Sequence, residues 1–78
     1  MTDLSYEEFH LGLTIYSRHH GHYQRYGQMV FNYLGKARPA LARGVVEAGV
    51  DCYYWEADRV HETFEWLMDN WDKEEFSD

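Results

Sequence analysis

The 78-residue chain predicts an all-α fold: a compact, irregular bundle of about four short helices in one domain spanning residues 1–78. Three observations lead there. Ser5-Tyr6-Glu7-Glu8 has the form of a capping box, with Ser5 at N-cap and Glu8 at N3, each side chain placed to take a free backbone N–H from the other. Val60, Phe64, Leu67 and Trp71 recur at i, i+4, i+7 and i+11, the spacing of one face of a helix. Strand-favouring residues gather in one short run, Asp51-Cys52-Tyr53-Tyr54-Trp55, which has no partner strand to pair with.

The first helix starts at Ser5 on two signals. Leu4 and Phe9 occupy the hydrophobic-staple positions beside the capping box, and Tyr6, Phe9, Leu13 and Tyr16 continue its apolar side. Gly21 sets its end near His19 or His20. A second helix runs from about His22 or Tyr23 to Leu34, with Tyr23, Gly27, Val30, Phe31 and Leu34 as its stripe and Gly35 placed to close it. Gly27 inside it costs up to roughly 1 kcal/mol relative to alanine, so close approach of a neighbouring helix is expected there. Gln28 and Asn32, four apart on one side, suit an amide pair that bonds the 51–55 connector, or polar recognition at an exposed site. Pro39 fits the first turn of a third helix; Leu41, Ala42, Val45 and Val46 give it an apolar side, and Gly49 ends it. Residues 51–55 then read as an ordered connector whose aromatics cover the end of the core. Asp58 is placed to cap the fourth helix, and the acidic tail, residues 72–78, is expected to fray.

Charge is distributed unevenly. Residues 51–78 hold ten acids against Arg59 and Lys73, a net −8, whereas residues 1–50 hold four acids and five bases, a net +1. That balance argues against direct binding of DNA or RNA, which needs a basic surface. No apolar run approaches the roughly 18 residues that span a bilayer, and the acidic N-terminus lacks a signal-peptide core, so a cytoplasmic protein is expected. A single cysteine, Cys52, forms no internal disulfide and reads as a small buried hydrophobe.

Glu62, Glu65, Asp69 and Asp72, spaced three, four and three, form a row opposite the apolar stripe of the fourth helix. Asp58 extends the row upstream, and Glu74, Glu75 and Asp78 extend the negative field downstream. At about 1.5 Å of rise per residue the acids repeat every 4.5–6 Å or so, comparable to phosphates along a nucleic-acid strand. Like-charge neighbours at this spacing each cost roughly 0.2–0.5 kcal/mol, and three of the four acids lie in the later part of the helix, where its dipole disfavours anions. A row of this kind is commonly a solvated face that keeps a small protein soluble; the functional alternative is a surface that imitates phosphates or docks into a basic groove. Tyr53, Tyr54, Trp55 and Trp66 are the aromatic candidates for an interface, or for loop packing.

Templates for catalysis are missing from the sequence: no glycine-rich phosphate loop, nucleophile elbow or HExxH is present, so no catalytic residues and no cofactor are assigned. His19, His20 and His22, with His61 and Cys52 as distant partners, do not give the usual spacing of a zinc site, and no metal is assigned.

Two longer stretches carry a resemblance. Arg25, Gly27, Gln28, Phe31, Asn32 and Leu34 fit the pattern R-x-G-Q-x-x-F-N-x-L, and Pro39, Leu41 and Ala42 fit a following P-x-L-A. Asp51 and Tyr54 fit D-x-F-Y with Tyr53 in place of Phe; Phe64-Glu65-Trp66-Leu67 corresponds to an acidic F-x-x-W-L ending, with one residue fewer in the gap. The chain thereby resembles small uncharacterised proteins of bacteria and their phages over about half its length. The resemblance implies a phage or mobile-element origin and, by analogy with other tiny acidic phage proteins, an inhibitor of host defence. On that reading the protein is anti-CRISPR-like, a possible DNA mimic in the host bacterial cytoplasm. Its partner would be a host protein with a basic groove, such as a CRISPR effector, bound through the acidic helix face. The other reading is an accessory interaction domain that self-associates, as a dimer for instance, through aromatic surface.

Overall fold

The capping box is made as the sequence predicts. The Ser5 N–H donates to Glu8 Oε1 at 2.9 Å, and the Glu8 N–H donates to Ser5 Oγ at 3.1 Å. From there the computed structural model describes residues 4–20 and 25–77. Among them the α-helices are α1 (Tyr6–His20), α2 (Tyr26–Ala37), α3 (Pro39–Ala48) and α4 (His61–Asn70), with 3-10 turns at Ala57–Arg59 and Glu74–Phe76 and no strand. The chain is an all-α bundle, with a Cα radius of gyration of 11.6 Å; a compact domain of this length is expected near 11.5 Å by size scaling, about the same. None of the described helices is long and apolar enough to cross a membrane.

Helix α2 corrects two boundaries. Its expected start at His22 or Tyr23 lies outside the described residues, but Arg25 is extended (φ −68°, ψ 154°) and the helix begins after it. Gly35 does not end it; the helix passes through and stops where Pro39 forces the preceding residue out of helical conformation. Arg38 (φ −143°, ψ 80°) is the whole link to α3, its N–H capping the Leu34 carbonyl at 2.8 Å. Pro39 occupies the first turn of α3, as expected. Gly49, at φ 77°, closes α3 in a Schellman arrangement: the Gly49 N–H donates to Val46 and the Val50 N–H to Val45.

The core joins Phe9 and Leu13 of α1, Val30 and Leu34 of α2, Leu41 and Val45 of α3, then Cys52, Val60, Leu67 and Trp71. Val46 is 52% exposed rather than apolar lining, because α3 meets the bundle through Leu41, Ala42, Gly44 and Val45, and Val46 lies one position past that face. Asp58 does not cap α4. It sits inside the 3-10 turn, Val60 precedes the helix in helical conformation, and no side chain caps the end.

Gly27 meets backbone, but of the connector rather than of a helix. A Cβ at this position would collide with the Cys52 carbonyl oxygen and lie 2.8 Å from that of Trp55. The connector is ordered on this contact: the Cys52 thiol donates to the Gly27 carbonyl at 3.3 Å, the Tyr53 N–H to Asp51 Oδ1 at 3.0 Å, and the Trp55 N–H to the Cys52 carbonyl at 2.9 Å. Gln28 Nε2 donates to the Tyr53 hydroxyl at 2.9 Å, fulfilling half of the expected amide pair. The Thr63 hydroxyl, itself buried, donates to the Val50 carbonyl at 2.6 Å and ties α4 to the same segment.

The tail is expected from the sequence to fray over residues 72–78; Asp78 lies outside the described residues, and Phe76 before it is packed against the bundle. Phe76 packs edge-on against Trp66 (5.3 Å between centroids), both over Gly44, where a Cβ would lie 2.7 Å from each ring. Arg38 is buried and donates to the carbonyls of Trp71 (3.4 Å) and Phe76 (2.9 Å), with its guanidinium 4.9 Å from the centre of the Trp71 ring. A buried cation needs such compensation. The Trp71 indole N–H donates to the Leu4 carbonyl at 3.0 Å, joining the two ends of the described chain.

Candidate functional site

The acidic row is displayed on α4, with unequal members. Its buried side is Val60, Thr63, Leu67, Asn70 and Trp71. Phe64, expected to be core, is half-buried against His10 of α1, with ring centroids 5.3 Å apart. Opposite them Glu65 and Asp69 are exposed on the helix, and Asp72 is exposed just beyond its last residue. These three make no hydrogen bond or ion pair with any described residue. Glu62 is different: it is half-buried and pairs with Arg59 at 3.2 Å. The Arg59 guanidinium in turn lies 4.0 Å from the centre of the Trp55 ring. The head of the row is therefore partly neutralised, and the unopposed negative surface starts at Glu65. The Arg59–Glu62 pair is exposed and adds at most about 1 kcal/mol.

Asp58, Glu74 and Glu75 are exposed on the flanking 3-10 turns, so the field extends past both ends of α4. Asp78, also expected to contribute, lies outside the described residues.

Of the connector aromatics, Tyr53 is half-buried, accepts from Gln28 and meets the edge of Phe31. Trp55 is half-buried under Arg59. Tyr54 alone stands out, 78% exposed and edge-on to Tyr53 at 4.8 Å. Trp66 is half-buried under Phe76.

Sequence reasoning passed over Met68. It is 55% exposed, three residues after Glu65 and four before Asp72, and so stands on the acidic face. Its signal was legible as an apolar residue off the stripe of α4. Leu11 and Ile15, four apart on α1, are likewise exposed.

No group of three or more histidine, cysteine or acidic side chains suited to a metal occurs among the described residues; His22 of the histidine run lies outside them. Cys52 is buried, and burial pushes its thiol up from the usual range. A thiol held protonated is a poor nucleophile.

Comparison of the chain with protein-family models, with curated proteins and with solved structures finds no match.

Proposed function

We propose that this protein acts by binding, and that it docks the α4 face onto the basic surface of a nucleic-acid-binding protein, displacing the nucleic acid. The supporting observation is the run Glu65, Asp69 and Asp72: exposed, without a hydrogen-bond or ion-pair partner among the described residues, and beside an exposed Met68. Repulsion along that run works against a small domain whose stability is only several kcal/mol in total. A lysine on this face would relieve the repulsion and leave the protein as soluble, so solubility alone does not call for the pattern. Arg and Lys that hold phosphates would pair with the carboxylates instead, and Met68 would supply adaptable apolar contact at their centre. In the setting that the phage-like motifs imply, the target is a host defence complex, such as a CRISPR effector.

A partner captured on the immobilised protein at low salt should elute when salt is raised, and also when a DNA oligonucleotide is added. Retention through both washes would refute electrostatic competition. It would favour the second reading, contact through the exposed Tyr54, which is insensitive to salt.

A further inference from the structure

Helix α1 turns Phe9 and Leu13 into the core and leaves a second apolar pair outside: Leu11 is 64% exposed and Ile15 51%. They stand in a row with exposed Glu8 and Arg18, spaced three, four and three, which is the spacing of a coiled-coil seam. The row is complementary to itself when reversed. Leu13 lies midway between Leu11 and Ile15 and also midway between Glu8 and Arg18. We propose that two copies of the chain pair through this row, α1 against α1 and antiparallel, about a twofold axis at the level of Leu13.

A twofold contact is isologous, so each pairing occurs twice: Leu11 of one copy meets Ile15 of the other, and Glu8 meets Arg18. The charges at the helix ends decide the direction. Glu7 and Glu8 lie in the first turn of α1, and Arg18, His19 and His20 in the last. Antiparallel pairing therefore sets acid against base at both ends, whereas parallel pairing sets like against like. The helix dipoles also attract only when antiparallel. Both charged partners are available. Arg18 makes no hydrogen bond or ion pair with any described residue, and Glu8 uses only Oε1 on the Ser5 N–H. The neighbouring helices reach α1 on its flanks, Tyr33 of α2 at Gly12 and Phe64 of α4 at His10, and leave the row open between them. A net charge of −7 opposes association in general, but the row itself is neutral, with one acid and one base. Two apolar side chains per copy, on a helix about 22 Å long, make a small contact, so the pairing belongs with weak, transient interfaces. The row shares no residue with Glu65, Asp69 and Asp72, and the inference stands apart from the α4 docking.

Sedimentation equilibrium of the intact protein, from roughly 10 μM to 1 mM, should show a reversible monomer–dimer equilibrium, and nitrogen-15 NMR over the same range should shift the α1 amides from Glu8 to Arg18. Leu11→Gln with Ile15→Gln should weaken association by about tenfold or more, and Val46→Gln, exposed on α3 outside the row, by less than about twofold. Arg18→Glu sets acid against acid at both ends of the seam, and Glu8→Lys sets base against base, so neither variant should pair with itself. Mixed, they restore both charge pairs, and only the mixture should dimerise. Thermal melts check that each variant folds, Glu8→Lys above all, because it loses the capping box with Ser5. If that variant is unfolded, Arg18→Glu alone decides, since association at wild-type strength would contradict the pairing. A monomer up to about 1 mM, equal losses from the α1 and α3 variants, or a mixture that associates no better than its components would overturn the inference.

Discussion

Two glycines in α2 should respond to the same substitution with opposite signs. Gly35 is exposed, inside the helix, with nothing within 4 Å of an added Cβ. Gly35→Ala should stabilise by about 0.4–1 kcal/mol, because alanine restricts the unfolded chain and favours helix. Gly27→Ala gains the same helical term, but its methyl would strike the carbonyls of Cys52 and Trp55, which are backbone and have no flexible end to move aside. Overpacking of this kind costs about 1–3 kcal/mol. Displacing the connector also strains the Cys52–Gly27 and Gln28–Tyr53 hydrogen bonds, each contributing about 0.5–1.5 kcal/mol. The net expectation for Gly27→Ala is a loss of about 1–4 kcal/mol. For a domain of this size each kcal/mol moves the melting temperature by about 4–8 °C. Urea unfolding followed by circular dichroism should therefore give midpoints on either side of wild type. If Gly27→Ala is as stable as Gly35→Ala, the connector does not lie on α2, and the account of residues 51–55 fails.

Leu67→Ala should lose about 2–5 kcal/mol in the same assay, and Phe64→Ala less, because Leu67 is fully buried and Phe64 only half; equal losses would contradict that placement. Burial raises the ionisation of Cys52, Tyr6 and Tyr26 above the ordinary 9.0, 10.0 and 10.0, so the folded state holds protons that the unfolded state releases. Stability from these groups should be fully present below pH 9 and fall as pH rises past 9 and then 10; a flat or rising profile there would contradict the burial of all three. EDTA should leave the melting temperature unchanged, and a drop of several degrees reversed by zinc would reinstate the histidine run with His61 or Cys52 as a metal site.

How much of this was legible in the sequence depended on how local each signal is. The capping box, Pro39 at the start of α3, Gly49 at its end and the stripe Val60–Leu67–Trp71 depend on residues within a few positions, and the structure contains all of them. Asp58 was misread because the short 3-10 turn after Glu56 takes up the residues that seemed free to begin α4. Gly35 was misread because a glycine four residues before Pro39 looks like a stop, whereas the proline itself sets the end. The docking of Phe76 over Gly44 and the Arg38 bonds to the acidic end both join residues more than thirty positions apart. No periodicity encodes such contacts. The acidic row itself was visible from spacing alone, but its division into a neutralised head at Glu62 and an open run from Glu65 needed the position of Arg59.

The central claim is that the α4 face is a shaped docking surface, and charge reversal at matched net charge tests it most directly. Glu65→Lys with Asp69→Lys, and Glu47→Lys with Glu56→Lys, each move the formal net charge from −7 to −3 at exposed positions. Affinity for the captured partner should be measured at low salt for both. The account predicts that the first variant loses binding, since each interfacial charge pair that is broken costs about 2–5 kcal/mol, while the second stays close to wild type. Equal retention of the partner by the two variants would contradict it, leaving the row as a solvated face.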